Sequence, residues 1–180
     1  MAGSKRGGIG NAEDRWAACW RGNVMAHVYA ARTLIPLMVA RDGGYLVNVA
    51  SAAGLLSQIG DAAYSATKHA AVAFAESLAI THGEQGIHVS VVCPQAVATQ
   101  MIGIADDSDS LEGGFGGNDV DGILRPEDVA DRIIEGIEEK RFLILPHPQV
   151  ATYVQRKAND HGRWIAGMQR FQRKLSRQGD

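Results

Sequence analysis

The chain has 180 residues, of which 46% are hydrophobic and 21% charged, and its formal net charge is −2. Such a composition is typical of a globular protein whose single domain, residues 1–180, can bury a sizeable core. The small net charge argues against nucleic acid as a general partner. No apolar run approaches the length needed to span a membrane.

The N-terminal residues, the cysteines and the histidines bear on the cellular location and on metal binding. Residues 1–12 are rich in glycine and lack the apolar core of a signal peptide, so they predict a flexible start. Cys19 and Cys93 have no metal or redox spacing and are expected to be reduced, buried thiols. The six histidines show no metal-ligand spacing either, so no metal site is predicted. We therefore expect a cytoplasmic protein.

In chain order, the first half alternates between helix and strand. An apolar stripe predicts a helix over residues 13–39, which Pro36 is expected to kink or to divide. A strand over residues 45–50 follows, then an alanine-rich helix over residues 62–82 and a buried strand over residues 87–93. Two strands joined by a long helix predict a parallel βαβ unit.

The second half begins with an acidic, glycine-rich segment at residues 100–124 that predicts a loop. A helix over residues 126–139 and a short strand over 142–145 come next, and residues 149–178 form a basic helical tail. The tail is expected to dock its apolar side on the domain, although a membrane-surface or nucleic-acid role is the alternative. The fold class is α/β, with about three parallel strands and flanking helices.

A tyrosine, a lysine and a serine suggest proton-transfer chemistry. Tyr64 and Lys68 are four residues apart in a predicted helix, so both side chains lie on one face. The ammonium of Lys68 is expected to lower the pKa of the Tyr64 phenol. Ser51 follows the strand over residues 45–50, at the strand end where open α/β sheets carry their chemistry. The three side chains predict a site for a carbonyl or alcohol.

This pattern resembles the short-chain dehydrogenase/reductase family in the apolar strand before Ser51, the Ala53-Gly54 pair and the Tyr64-x-x-x-Lys68 spacing. The resemblance implies an NAD(P)-dependent oxidoreductase that interconverts an alcohol and a ketone or aldehyde, a small-molecule substrate. It also implies a partial, doubly wound, Rossmann-like fold. Tyr64 would be the acid/base, Ser51 would hold the substrate oxygen, and Lys68 would assist Tyr64 and bind the nicotinamide ribose.

Further residues are assigned through the same resemblance. Asn23 matches a catalytic asparagine that holds a water linking the lysine to solvent. Pro94, Val97 and Thr99 match a segment that contacts the nicotinamide. Gln95 stands where the family has glycine, so its side chain would narrow the pocket or reach the substrate. The segment over residues 100–124 would either close over substrate or be a surface loop without function.

The glycine-rich cofactor motif of the family does not occur in these residues. The resemblance therefore implies NAD or NADP, with the adenine-binding half of the site absent from this chain. Residues 13–146 would form the catalytic half and residues 147–180 a C-terminal extension. We expect the chain alone to bind the dinucleotide weakly or not at all and to be poorly soluble.

Two other functions are considered. The helices over residues 13–39 and 62–82 match the common dimer contact of the family, so a homo-oligomer is expected. An inactive fragment that pairs through these helices with an intact relative is the alternative to an enzyme. A hydrolase using Ser51 with Lys68 as base is disfavoured, because Ser51 lacks a nucleophile-elbow context.

Overall fold

The computed structural model describes residues 12–99 and 120–178. The predicted flexible start and most of the acidic segment at residues 100–124 lie outside this part. The α-helices are α1 (Glu13–Trp20), α2 (Ala26–Val39), α3 (Ala62–His82), α4 (Pro126–Glu138), α5 (Gln149–Asn159) and α6 (His161–Gln178). The strands are β1 (Gly44–Val49), β2 (Ile87–Val92) and β3 (Leu143–Ile144).

The three strands form one parallel sheet in the order β1-β2-β3. The register pairs Gly44 with Ile87 and Val49 with Val92, so β1 and β2 end at the same level. Because α3 connects these two strands, the predicted parallel βαβ unit is confirmed. The flanked parallel sheet also confirms the partial Rossmann-like fold.

The first helical region is divided at a different place from the one predicted. A π-helical turn, Arg21–Met25, separates α1 from α2, whereas Pro36 lies inside α2, which continues to Val39. The prediction that Pro36 divides off the last turn is therefore wrong. Pro36 and Arg32 are both exposed, so water can bond the Arg32 carbonyl that the proline leaves without an N–H partner.

Small side chains bring α3 close to the sheet. Ala71 and Ala75 of α3 are 1% and 0% exposed and belong to the same core cluster as Val89 and Val91 of β2. Such close packing fixes the rotation of α3 about its axis, because a larger residue at these positions would overlap the strands. Cys93 is buried as predicted, but Cys19 is only partly buried.

The C-terminal tail is helical, as predicted, but it forms two helices. Asp160 has an extended backbone (φ −152°), and its Oδ1 accepts the N–H of Arg163 at 2.8 Å. The carboxylate thereby caps α6 and allows the chain to turn between the helices. In the part of the chain that the structure describes, no helix is both long and apolar enough to cross a membrane.

Candidate active site

The C-terminal ends of β1 and β2 bring Ser51 into a buried corner. Backbone pairing continues past both strands, since the Ala50 N–H bonds Val92 O at 2.8 Å and the Ala52 N–H bonds Pro94 O at 2.8 Å. Ser51 lies between these two bonds and is 9% exposed. Its position is therefore set by the sheet register rather than by a free loop.

The Ser51 side chain is held in one orientation by its neighbours. Its Oγ accepts the Ala53 N–H at 3.1 Å and donates to Pro94 O at 3.4 Å. The Ser51 side chain also interacts with that of Tyr64, since it lowers the pKa of the Tyr64 phenol. The hydroxyl and the phenol therefore lie near each other.

The start of α3 positions Tyr64. Asp61 is the N-cap of this helix, and its Oδ1 accepts the Tyr64 N–H at 3.1 Å. Arg15 of α1 donates to the other carboxylate oxygen of Asp61 in an ion pair. The cap ties the tyrosine backbone to α1. Sequence analysis missed this role, although an aspartate just before an alanine-rich helix is a recognisable capping signal.

The pKa of Tyr64 moves in the opposite direction from the one predicted. Burial raises the pKa of this phenol, and the neighbouring Ser51 side chain lowers it by less. Lys68 Nζ lies over the Tyr64 ring, 5.6 Å from its centroid. In this structure the phenol is therefore a proton-bearing acid at neutral pH, stabilised by desolvation of its anion.

Lys68 is a buried cation with few protein partners. It is 8% exposed, and its Nζ donates to Val49 O at 3.2 Å. Burial lowers the pKa of Lys68. His27 of α2 lies near it, since burial and then the Lys68 charge lower the pKa of His27. His27 was not singled out in the sequence, although it follows Asn23 by one helical turn.

Asn23 lies on the π-helical turn between α1 and α2. Its Nδ2 donates to Thr67 Oγ1 at 3.0 Å, and Thr67 is completely buried next to Lys68 in α3. The wider turn carries the Asn23 side chain to α3, and such turns often occur at functional sites. Thr67 is a positioning residue that sequence analysis did not identify. In the sequence, nothing distinguishes Thr67 from an ordinary threonine within a helix.

The segment after β2 forms the next wall. Val97 pairs with Leu124 in an isolated parallel bridge, in which the Ala98 N–H bonds Leu124 O at 2.9 Å. The Thr99 hydroxyl donates to Val97 O at 3.3 Å. Pro94, at the start of this segment, accepts the hydroxyl of Ser51. The predicted cofactor-binding residues therefore continue directly from the Ser51 corner.

Gln95 lies where this segment borders a large cavity. Its backbone N–H donates to Nδ1 of the buried His147 at 3.2 Å, and its side chain lines the cavity. The cavity has a volume of about 820 Å³ and is also lined by Ala52 and Ala53, which follow Ser51. Its opposite wall is formed by residues of α5 and α6. The cavity thus adjoins the residues that follow Ser51, and its size is sufficient for a substrate.

Lys157 fastens α5 to the loop behind Ser51. Its Nζ donates to Leu55 O at 2.7 Å and to Leu56 O at 3.2 Å. The same ammonium lies 5.0 Å from the centroid of the Trp164 ring in α6. These contacts dock α5 on the domain through a lysine side chain, whereas the prediction for the tail was docking through its apolar side.

Replacing Lys157 with methionine should lower the free energy of unfolding by about 1 kcal/mol. Two carbonyls then lose a charged donor, and partial solvent exposure limits the loss. Urea denaturation followed by circular dichroism measures the change. Lys174→Met, at an exposed position of α6, is the matched control and should change stability by less than about 0.5 kcal/mol. Equal losses in the two variants would contradict the docking role.

The sequence of this chain matches the model of a known protein family. The short chain dehydrogenase family model matches residues 5–109, more than half of the chain. The chain belongs to the short chain dehydrogenase family. The resemblance seen in the sequence is therefore confirmed, and the family is one of oxidoreductases.

Curated relatives in this family are similar over much of the chain. Epidermal retinol dehydrogenase 2 from Homo sapiens is 35% identical over 129 residues, covering 69% of this chain and 39% of the relative. The 1-deoxy-11-beta-hydroxypentalenate dehydrogenase from Streptomyces exfoliatus is 30% identical over 154 residues, covering 85% and 54%. The chain thus spans about half the length, or less, of these relatives.

Solved structures of short chain dehydrogenases have the same fold. The enzyme from Burkholderia phymatum, in complex with NAD, has a TM-score of 0.70 at 28% identity and covers 83% of this chain and 59% of that chain. A short-chain dehydrogenase from Sphingobium yanoikuyae, in complex with NADPH, has a TM-score of 0.65 at 21% identity and covers 94% and 60%. Nicotinamide cofactors of both kinds are therefore bound within this fold.

Proposed function

We propose that this short chain dehydrogenase interconverts an alcohol and a ketone or aldehyde by NAD(P)-dependent hydride transfer, with Tyr64 as acid/base. The observation that carries the proposal is the interaction of the Ser51 and Tyr64 side chains, with Lys68 Nζ 5.6 Å from the centroid of the tyrosine ring. A phenol and a hydroxyl that lie near each other can both bond one carbonyl oxygen. The full activity is proposed for the family's complete fold, since the chain spans only part of its relatives.

Tyr64 gives its proton to the carbonyl oxygen during reduction and takes it back during oxidation. The raised pKa of the buried phenol supports the acid role, because the group keeps its proton at neutral pH. Ser51 donates to the same oxygen and orients it, with its own position held by Ala53 and Pro94. Gln95 contributes to the wall on the substrate side.

Lys68 and Asn23 form the route by which the proton is restored. We place Lys68 between Tyr64 and a water held by Asn23, whose amide is fixed against Thr67. The half-buried His27 faces the same lysine and offers a second polar group on this route. Protons can then reach Tyr64 without opening the substrate pocket to solvent.

The residues near Lys68 fit the nicotinamide half of NAD or NADP. Lys68 is a buried cation whose ammonium donates to one protein carbonyl among the described residues, so donors remain for ribose hydroxyls. Pro94, Val97 and Thr99 supply backbone and hydroxyl groups for the carboxamide. When bound, the nicotinamide supplies or accepts the hydride. No described residue supports a choice between NAD and NADP.

Reduction of a small ketone tests the proposed function. The chain is supplied with NADH or NADPH at about millimolar concentration, and the loss of reduced nicotinamide absorbance is followed with time. Turnover that depends on both ketone and cofactor supports the proposal. A folded chain that gives none with a panel of aliphatic and aromatic ketones would overturn the proposal for this chain.

We expect the chain to bind the dinucleotide only weakly, with a Kd of about 1 mM, because a dinucleotide needs contacts at both ends. Isothermal titration calorimetry of the chain with NADH, and separately with nicotinamide mononucleotide, checks this. The two ligands should bind within about threefold of each other, since both use the same nicotinamide contacts. A monodisperse chain that binds NADH at micromolar strength would show that the expectation is wrong.

Exposed apolar side chains favour a second candidate, a partner role mediated by helices. Trp20 and Tyr29 are 48% and 58% exposed on α1 and α2, and Ile80 of α3 is 83% exposed. Apolar groups of this size are usually covered in an assembly. Size-exclusion chromatography of the chain, alone and mixed with an intact relative, tests this role together with the calorimetry. A homo-oligomer that binds cofactor supports the enzyme, whereas a complex with the relative and no cofactor binding by the chain supports the partner role.

A further inference from the structure

The cavity beside Ser51 extends well beyond the space that a carbonyl group needs. Its volume of about 820 Å³ is in the range of pockets that hold drug-sized ligands. One end is formed by Ala52 and Ala53, directly after Ser51, and by Gln95. The far wall is built from α5 and α6. A substrate whose carbonyl reaches Tyr64 would therefore place its remaining atoms along these two helices.

Three arginines give this far wall a positive charge. Among the described residues, Arg156 of α5 and Arg163 and Arg170 of α6 line the cavity together with one acid, Asp160, so their summed charge is +3 − 1 = +2. Asp160 already accepts the backbone N–H of Arg163. Within residues 12–99 and 120–177, none of the three guanidinium groups is ion-paired with a carboxylate.

Arg163 and Arg170 are arranged so that one anion can approach both. They are seven residues apart in α6, about two helical turns, and so lie on the same face. Gly167 lies between them and also lines the cavity. A Cβ at Gly167 would lie 3.7 Å from Nη2 of Arg170, which places that guanidinium over the gap left by the glycine. Gly167 itself has no side chain that could cover this guanidinium.

Apolar side chains occupy the cavity wall between the arginines and Ser51. Trp164, Met168 and Phe171 of α6 and Leu56 and Ile59 of the loop after Ser51 all line it. The α6 residues are each only partly exposed. A hydrocarbon chain bound here would be removed from water against these side chains. The lining therefore combines apolar side chains of α6 and of the loop after Ser51 with cationic side chains of α5 and α6.

We propose that this cavity binds the non-reacting part of a substrate that combines a hydrocarbon body with an anionic group, a carboxylate or a phosphate. The proposal rests on the proposed function for the reacting carbonyl, but the binding itself does not require hydride transfer. Arg163 and Arg170 hold the anion, Arg156 adds positive charge, and the apolar residues hold the hydrocarbon. These groups set specificity, while Tyr64 and Ser51 act on the carbonyl.

Calorimetric binding of decanoate, decyl phosphate and 1-decanol to the chain tests the proposal at low ionic strength. At least one anion should bind more tightly than decanol, and comparing the two anions identifies the preferred group. Arg163→Gln and Arg170→Gln should each weaken that anion about three- to tenfold, the range for partly exposed charge-assisted hydrogen bonds. Arg173→Gln, at an exposed α6 position outside the cavity lining, should change it less than twofold.

The proposal would be overturned if decanol bound as tightly as both anions, if Arg173→Gln lost as much binding as the cavity variants, or if a folded chain bound none of the three ligands. Binding of the chain to phosphatidylserine vesicles without binding of decanoate or decyl phosphate would identify a membrane-surface helix and would also overturn it. Anion binding that depends on Arg163 and Arg170 in a chain that reduces no ketone would refute the proposed function alone. Ketone reduction with no effect of either arginine on anion binding would refute the cavity assignment alone.

Discussion

Replacing Tyr64 with phenylalanine is expected to slow carbonyl reduction by about 10²- to 10⁴-fold, the usual contribution of a positioned acid/base. The variant keeps the ring and its packing and loses only the hydroxyl that interacts with Ser51. Initial rates with saturating ketone and about millimolar NADH or NADPH measure the loss. Tyr29→Phe is the matched control, because Tyr29 is 58% exposed on α2 and away from the site.

The pH dependence of the same reaction gives a second readout for Tyr64. Alcohol oxidation needs the phenolate, and burial raises the pKa of Tyr64, so oxidation should accelerate as pH rises above neutral. Reduction needs the protonated phenol and should stay level until pH approaches that raised pKa. Reduction by Tyr64→Phe at more than a tenth of the normal rate, with an unchanged pH profile, would sink the acid/base assignment.

Replacing Gly54 with alanine should lower the free energy of unfolding by about 1–3 kcal/mol and disturb the site. A Cβ at Gly54 would lie 2.5 Å from the Lys68 carbonyl oxygen and 3.0 Å from Cγ2 of Val72. The nearest obstacle is backbone, so it cannot move aside as a side-chain end can. The loop after Ser51 must then shift away from α3, which separates Ser51 from Tyr64.

Urea denaturation and the ketone assay together test the Gly54 prediction. Gly83→Ala is the matched control, because no atom lies within 4 Å of a Cβ there and the backbone is right-handed (φ −59°). That control should be neutral or stabilising by about 0.5 kcal/mol. If Gly54→Ala unfolds at the same urea concentration as Gly83→Ala, the close approach of the loop to α3 is not needed for stability.

The order of elements and the family were predictable from local patterns. Apolar runs at residues 45–50 and 87–93 specify strands, and the alanine-rich stretch between them specifies a helix. The serine, tyrosine and lysine spacings carry the family resemblance, which the family model confirms over residues 5–109. These features depend on residues close in sequence, whose side-chain directions follow from helix and strand periodicity alone.

The properties of the site that depend on burial were predicted less well. The expected fall in the pKa of Tyr64 rested on the charge of Lys68, but burial of the phenol raises that pKa. Desolvation arises from atoms far apart in sequence, so no local spacing reports it. The division of the first helical region at Arg21–Met25 instead of Pro36 is another example, since the π-turn places Asn23 against Thr67 of α3.

Residue type and spacing are enough to establish the family and the chemical identity of the serine, tyrosine and lysine from Ser51 to Lys68. The environment of these residues depends on the tertiary structure. That structure raised the pKa of the tyrosine, left Lys68 bonded to a strand carbonyl, and brought the arginines of α5 and α6 to a cavity beside Ser51. Parallel strand register and close helix packing bring together groups about 100 residues apart, such as Lys157 and Leu55, and no short-range pattern encodes such a meeting.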